Sequence, residues 1–436
     1  MEIADSNPFL TRKCTPLQAS IRSAEIDPSG DRLHLVVAMI FMALLPLATA
    51  PRDIAMGVLV GVTVVRAFRI GSTYRSVIGI ATTWAIIAYL VWMAIGLFWT
   101  SDVGSGLVDI KKHRMLLVPL LLLPVLHHSR MLIQSFLTGV LVVNVLQMLE
   151  WLQWPDGMFE PVLRYGAFNN PIVTSLFTSV AICYWFQMIL HGSRRICILS
   201  FPPLFMALLG MVLGLSRGPI LGLIVALPAM TVTMYLLLPR VRNRLGAMVG
   251  LLLLTLLLVI AISPSMFTTA IDRCMVAFDE FKQADENPQS SIGIRIQMLD
   301  YGMDVVKQHP LLGTGPGAAS RYIPEGIDLH GKRGDRVHLH NTYLLAAVTL
   351  GLPGLLLLLW VLLACFRQAM PLVGGASLVG GTLFALTAWM VAAVGDSYQA
   401  SGNYLGVLGL LLTFSMLGAG RNRDSGALEE HSGKIA

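Results

Sequence analysis

Runs of apolar side chains long enough to cross a bilayer recur along this chain, and no other feature limits its fold so sharply. A hydrocarbon core about 30 Å thick takes about 20 residues of helix to span. With 55% hydrophobic and 13% charged residues among 436, the chain holds more apolar surface than one soluble core can bury. The reading is an all-α integral membrane protein. Its formal charge of +6 comes from Lys and Arg flanking the apolar runs, so nucleic acid is not an expected partner; membrane lipids are.

Polar breaks divide the apolar sequence into helices near 34–50, 53–69, 77–98, 115–127, 131–153, 172–191, 196–214, 218–238, 246–264, 341–363, 371–393 and 401–419, about twelve in all. Lys and Arg cluster in alternate connections: Arg12 to Arg32, Arg66 to Arg75, Arg130, Arg194 and Arg195, Arg240 to Arg244, Arg367, and Arg421 to Lys434. The positive-inside rule makes these cytoplasmic. The expected organisation is a cytoplasmic tail over 1–33, nine spans over 34–264, an outer loop over 265–340, three spans over 341–419 and a cytoplasmic tail over 420–436. The first thirty residues are polar, which does not fit a cleavable signal peptide. Cys14, Cys183, Cys197, Cys274 and Cys365 form an odd, scattered set with no disulfide framework.

The long outer loop contains SSIGIRIQMLDYGMDVVKQHP, which opens on a Ser pair able to cap a helix and stops at Pro310. At 100° per residue Ile292, Ile296, Leu299, Met303 and Val306 make one apolar stripe, and Ile294, Met298, Tyr301 and Val305 a second. Gln297, Asp300, Asp304 and Lys307 share the polar side. Arg295 projects between the stripes, with Gly302 leaving room two turns on, and a charge so placed needs either a partner or a route to lipid headgroups.

Arg217 is a second anomaly, set in LGLSRGPILGL between two apolar helices with no loop to occupy. At the outer surface a guanidinium offers two parallel hydrogen bonds to phosphate; a structural or headgroup salt bridge is the plainer alternative. A third is DRVHLHNTYLLAAVTLG, where His338 and His340 alternate with Val337 and Leu339 and Asn341 is placed to cap the next helix. Imidazole is the side chain most easily poised as a base near neutral pH. The His-x-His pair, with His330 and Asp335, also has zinc-ligand chemistry, but the base role is preferred and no metal or cofactor is expected. In RYGAFNNP, Arg164, Asn169 and Asn170 suit sugar hydroxyls or phosphate, and suit a turn equally well. Lys111, Lys112, His113 and Arg114 read as an interfacial anchor. GTGPG at 313–317 follows a helix rather than joining a strand to one, so it is no phosphate-binding fingerprint. Asp396, in the last outer turn, either orients a histidine or faces water.

All these groups fall on the outer face, while the spans hold few polar residues; Asn144, Gln147 and Gln187 are too sparse for a transport path. Lipid-borne substrates suit such a surface site. SSIGIRIQMLDYGMDVVKQHPLLGTGPG followed by HLHNTYLLAAVTLGLPGL resembles the bacterial O-antigen ligase family, whose Arg-x3-Leu pattern matches Arg217 to Leu221 and whose His-x10-Gly pattern matches His340 to Gly351. The resemblance implies a GT-C-like inner-membrane glycosyltransferase of Gram-negative bacteria with a large helical periplasmic loop. It implies metal-independent, inverting transfer of O-antigen from undecaprenyl pyrophosphate to lipid A-core at a periplasmic site. Arg217 and Arg295, with Arg164, would then hold the pyrophosphate, and His338 or His340 would be the base. O-antigen polymerase and protein O-oligosaccharyltransferase are the neighbouring readings, and a membrane transporter is the non-enzymatic one.

Overall fold

A computed structural model describes residues 15–154, 164–167, 169–262, 264–282, 290–319, 339–373, 378–398 and 401–419. Among the described residues the regular structure is helical, with no strand. Seven stretches among the described residues are long and apolar enough to cross a membrane, and Leu378–Ala392 and Gly402–Gly418 are shorter apolar helices. One of the seven, Val103–Trp151, is broken by 3₁₀ turns at Arg114–Leu117 and Leu123–His128. The helix expected over 115–127 is therefore fragmented, because Pro119 and Pro124 each remove an N–H and reset the local geometry.

Other boundaries shift for identifiable reasons. The helix expected over 34–50 runs Pro28–Leu44, since the Asp27 carboxylate accepts from the Gly30 N–H and Pro28 pre-sets the first turn. Ahead of it, within the stretch read as a tail, Pro16–Ile26 is a helix with a Thr15/Gln18 capping box. Pro171–His191 is the buried axis of the bundle, with no exposed side chain from Val173 to Leu190. Helices around it turn apolar residues outward, as Phe68 and Leu199 show; these are the surfaces that lipid would solvate. Asn144 and Gln147 link buried helices, accepting from Thr178 Oγ1 and donating to the Tyr165 carbonyl respectively.

Close approach fixes the helix pair that frames the site. A Cβ at Gly222 would lie 2.4 Å from the Ala388 carbonyl oxygen, so Arg217–Leu237 and Thr382–Ala392 touch backbone to backbone there.

The Thr342–Ala369 helix is interrupted at Gly351, whose φ of +69° and ψ of −177° belong to glycine. Carbonyls released by the break are taken up by 310–317. Thr314 and Gly315 donate to Val348 and Thr349, Leu352 donates to Pro310, and the Trp92 indole N–H donates to Leu350. GTGPG is thus a clasp on a broken helix: Gly313, Gly315 and Gly317 all have positive φ, and each passes too close to neighbouring backbone to carry a side chain.

Candidate functional site

The site begins at a sharp turn. Leu215 ends the Arg194–Gly214 helix in the left-handed region (φ +45°), and Ser216 is the N-cap of Arg217–Leu237. Two long helices therefore meet across a two-residue joint, which puts Arg217 at the first helical position. The first-turn N–H groups there lack intrahelical acceptors, and the helix dipole adds partial positive charge. Arg164 braces the joint, donating to the Gly214 carbonyl at 3.2 Å and the Ser216 hydroxyl at 2.8 Å. Its own loop is held because Glu150 accepts from the N–H groups of Gly166 and Ala167.

Arg295 arrives from the loop helix Ser291–Gln308, capped by Ser290. Of its two apolar stripes, Ile294, Met298 and Val305 are buried against Leu339, Leu344 and Val348, with Tyr301 beside them. In the other stripe Leu299 and Met303 are exposed. Gly302 is the point of closest approach, where a Cβ would lie 2.6 Å from Leu344 Cδ2. Packing one stripe on the Thr342–Ala369 helix rotates Arg295 inward.

Arg164, Arg217 and Arg295 line one cavity of about 120 Å³ together with Asp396, Ile172 and the Leu215–Gly218 backbone. Three guanidiniums against one carboxylate leave a formal excess of two positive charges. Such a cavity favours an anion with several acceptor oxygens, and phosphate matches the guanidinium fork. Burial lowers the proton affinity of Arg295, Asp396 raises it and Arg217 lowers it again; arginine stays charged throughout.

His340 is brought beside Asp396, which lines this cavity, by stitching between two chain segments. Thr342 donates its N–H to the Ala393 carbonyl and its hydroxyl to the Asp396 carbonyl, and accepts from the Tyr398 N–H. The Asn341 side chain caps the helix by accepting from the Leu344 N–H. His340 itself has φ +49°, a turn that sets its ring beside the last loop. Its Nδ1 lies 3.6 Å from Asp396 Oδ1, and the ring is 37% exposed. Burial pushes the Asp396 carboxyl up, but His340, the Ser397 N–H and Arg295 outweigh it and hold the group below the usual carboxylate range. Asp396 is thus an ionised partner for the histidine rather than a surface charge.

The remaining expected residues sort differently. His338 lies outside the described residues. Asn170 is an N-cap, accepting from the Ile172 N–H, and Asn169 donates to the Leu47 carbonyl and accepts from Asn403. Their bonds hold the approach to the cavity, and neither lines it. Reading Lys111 to Arg114 as an anchor is corrected for two of the four residues: His113 is buried against Tyr89 and Arg114 pairs with Asp53 at 2.7 Å, while Lys111 is exposed. Arg52, also buried, completes that knot with Asp53 and Asn403. Ser216 and Glu150 brace the cavity wall and escape sequence reading, because a lone Ser in a turn and a Glu at a helix end carry no pattern.

Residues 202–359 match the family model described as O-antigen ligase. No curated protein matches the chain. The matched segment contains Arg217, Arg295 and His340, and leaves Arg164 and Asp396 on either side. Over that segment, about a third of its length, the chain is similar to the O-antigen ligase family.

Proposed function

We propose that this protein is an inverting, metal-independent glycosyltransferase that moves O-antigen polysaccharide from undecaprenyl pyrophosphate to lipid A-core. In this reading it sits in the inner membrane of a Gram-negative bacterium, crosses it about twelve times in a GT-C-like arrangement, and works at the periplasmic face. The observation that carries the proposal is the convergence of three arginines on one cavity whose single carboxylate faces a histidine.

The donor pyrophosphate occupies the arginine-lined cavity. Arg217 and Arg295 neutralise charge that grows on the leaving oxygen as its bond to the anomeric carbon breaks. Arg164 sets the turn from which Arg217 extends. On the opposite face of the sugar, an acceptor hydroxyl attacks, and its proton passes to the His340 ring nitrogen remote from Asp396. Asp396 orients the ring and offsets the imidazolium that forms, a division of labour familiar from His–carboxylate pairs. One C–O bond forms, one breaks, and the lipid pyrophosphate departs. His338 is the alternative base.

Inactivating the gene in its host tests the assignment. Lipid A-core without polymer, alongside accumulated long lipid-linked polymer, is the expected result. A single repeat unit on the core indicates a polymerase instead, and unchanged lipopolysaccharide overturns both.

A further inference from the structure

The Thr49–Ile70 helix carries Arg52 in the Asn403 knot near the candidate site and Arg66 about 21 Å further along its axis. Around Arg66 lies a second polar cluster that the transfer reaction does not use. Asp31, on the Pro28–Leu44 helix, is 4% exposed, and its two oxygens face different partners. Oδ1 accepts from Arg66 Nη2 at 3.4 Å. Oδ2 faces His128 Nε2 at 3.3 Å and His127 Nε2 at 3.6 Å. We propose that Asp31, His127 and His128 form a binding site for a borderline-soft divalent cation of the zinc class, which ties the N-terminal helices to the broken segment at Leu123–His128.

Three observations support a cation rather than a simple ion pair. First, the two imidazole centroids are 3.9 Å apart, with Arg66 close by on the same carboxylate. Two protonated rings so close would repel each other, and the neutral imidazole is the form that ligates a metal; the Arg66 charge opposes any added cation and is offset by its pairing with Asp27.

Second, His127 Nδ1 lies 2.7 Å from Ser20 Oγ, which also accepts from the His127 N–H and donates to the Pro124 carbonyl. With its hydroxyl proton donated to the Pro124 carbonyl, Ser20 Oγ accepts from His127 Nδ1–H, the tautomer that keeps the lone pair on Nε2. That lone pair faces a carboxylate oxygen at 3.6 Å, a contact that a cation between the two atoms would turn into a pair of ligand bonds. A fixed Nδ1–H is also how metal-bound histidines are oriented.

Third, the spacing fits. Bonds of about 2.0–2.1 Å in tetrahedral geometry put ligand atoms about 3.3–3.4 Å apart, close to the two separations found, and all three ligand atoms lie within 4.8 Å of one another. Two imidazoles and one carboxylate favour zinc-like ions over magnesium or calcium, with water as the fourth ligand. The remaining titratable neighbours are Asp27, which accepts from Arg66 and Arg69, and the buried His34, whose Nε2 donates to the Leu121 carbonyl. The site departs from the metal-free expectation for the chain, and it does not depend on the transfer reaction.

The test uses the full chain in lipid nanodiscs, purified without a polyhistidine tag, stripped with chelator and titrated with Zn²⁺ against a chromophoric zinc indicator. One equivalent is expected to bind tightly, unaffected by millimolar Mg²⁺, and to raise the thermal unfolding midpoint. His127→Gln and His128→Gln are each expected to weaken that binding at least tenfold and to abolish the thermal shift, while His309→Gln behaves as wild type. Should His127→Gln fail to fold through loss of its Ser20 bond, the half-exposed His128→Gln carries the test alone. Zinc binding of equal strength in wild type and His128→Gln, or none in wild type, overturns the proposal.

Discussion

Asp396→Asn isolates the charge that faces His340. Asn keeps the shape of the side chain and still accepts from the Ser397 N–H, and Thr342 continues to hold the turn through backbone contacts. What disappears is a negative charge 3.6 Å from His340 Nδ1. At that distance and an effective dielectric of about 20, opposite unit charges attract by about 4–5 kcal/mol. The His340 ring is 37% exposed, so solvent screening reduces the useful part to about 1–2 kcal/mol. If that attraction offsets the imidazolium forming during attack, kcat falls about 5- to 30-fold. The same substitution removes the one carboxylate that lines the arginine-rich cavity among the described residues, so the donor KM is expected to stay level or fall. Initial rates of glycan transfer at varied donor concentration read both parameters. Wild-type kcat in Asp396→Asn, or a loss confined to KM, refutes the pairing.

Arg217→Lys keeps the charge and loses the two-pronged donor, and transfer is expected to drop about 10-fold or more, read in the same rate assay. Gly351→Ala places a Cβ 2.3 Å from the Leu311 carbonyl oxygen at a φ of +69°; it is expected to cost about 2 kcal/mol or more and to lower the thermal midpoint in detergent. Burial raises the Asp27 carboxyl, but Gly30, Arg66 and Arg69 outweigh it and hold its pKa below the usual value. Stability from this group is therefore full above about pH 4 and is lost as pH falls through the lowered pKa. Thermal midpoints measured at stepwise lower pH are expected to show that acid loss, and Arg66→Ala to show a lower midpoint at neutral pH with a smaller acid loss.

Hydropathy made the helical membrane class legible, because an apolar run has few other ways to hide its backbone. It did not make the helix ends legible where capping and proline chemistry compete with apolarity, as at Asp27–Pro28 and at Pro119 and Pro124. The loop helix was readable almost residue by residue, since its two stripes and Arg295 follow from a 100° period. Which stripe packs inward was not readable, because that depends on Leu344 and Val348, some fifty residues away. Arg217 and His340 stood out as polar groups at the edges of apolar runs. Asp396 was left open between orienting a histidine and facing water, since only the Thr342 stitching brings it to His340. Asn169 and Asn170 carry the same residue types as sugar-binding positions, and only their hydrogen bonds reveal them as turn supports. The Asp31–His127–His128 cluster is invisible in the sequence because Asp31 lies 97 residues from His128, and neither it nor the adjacent histidine pair carries a pattern alone.

The central claim is that the arginine-lined cavity holds the donor's anionic group during glycan transfer. Transfer from lipid-pyrophosphate-linked polymer to lipid A-core, by purified protein in nanodiscs containing Arg217→Ala or the wild-type chain, tests it most directly. Polymer on the core is expected with wild type, and at least 100-fold less with Arg217→Ala at equal folded protein. Equal transfer by the two proteins contradicts it.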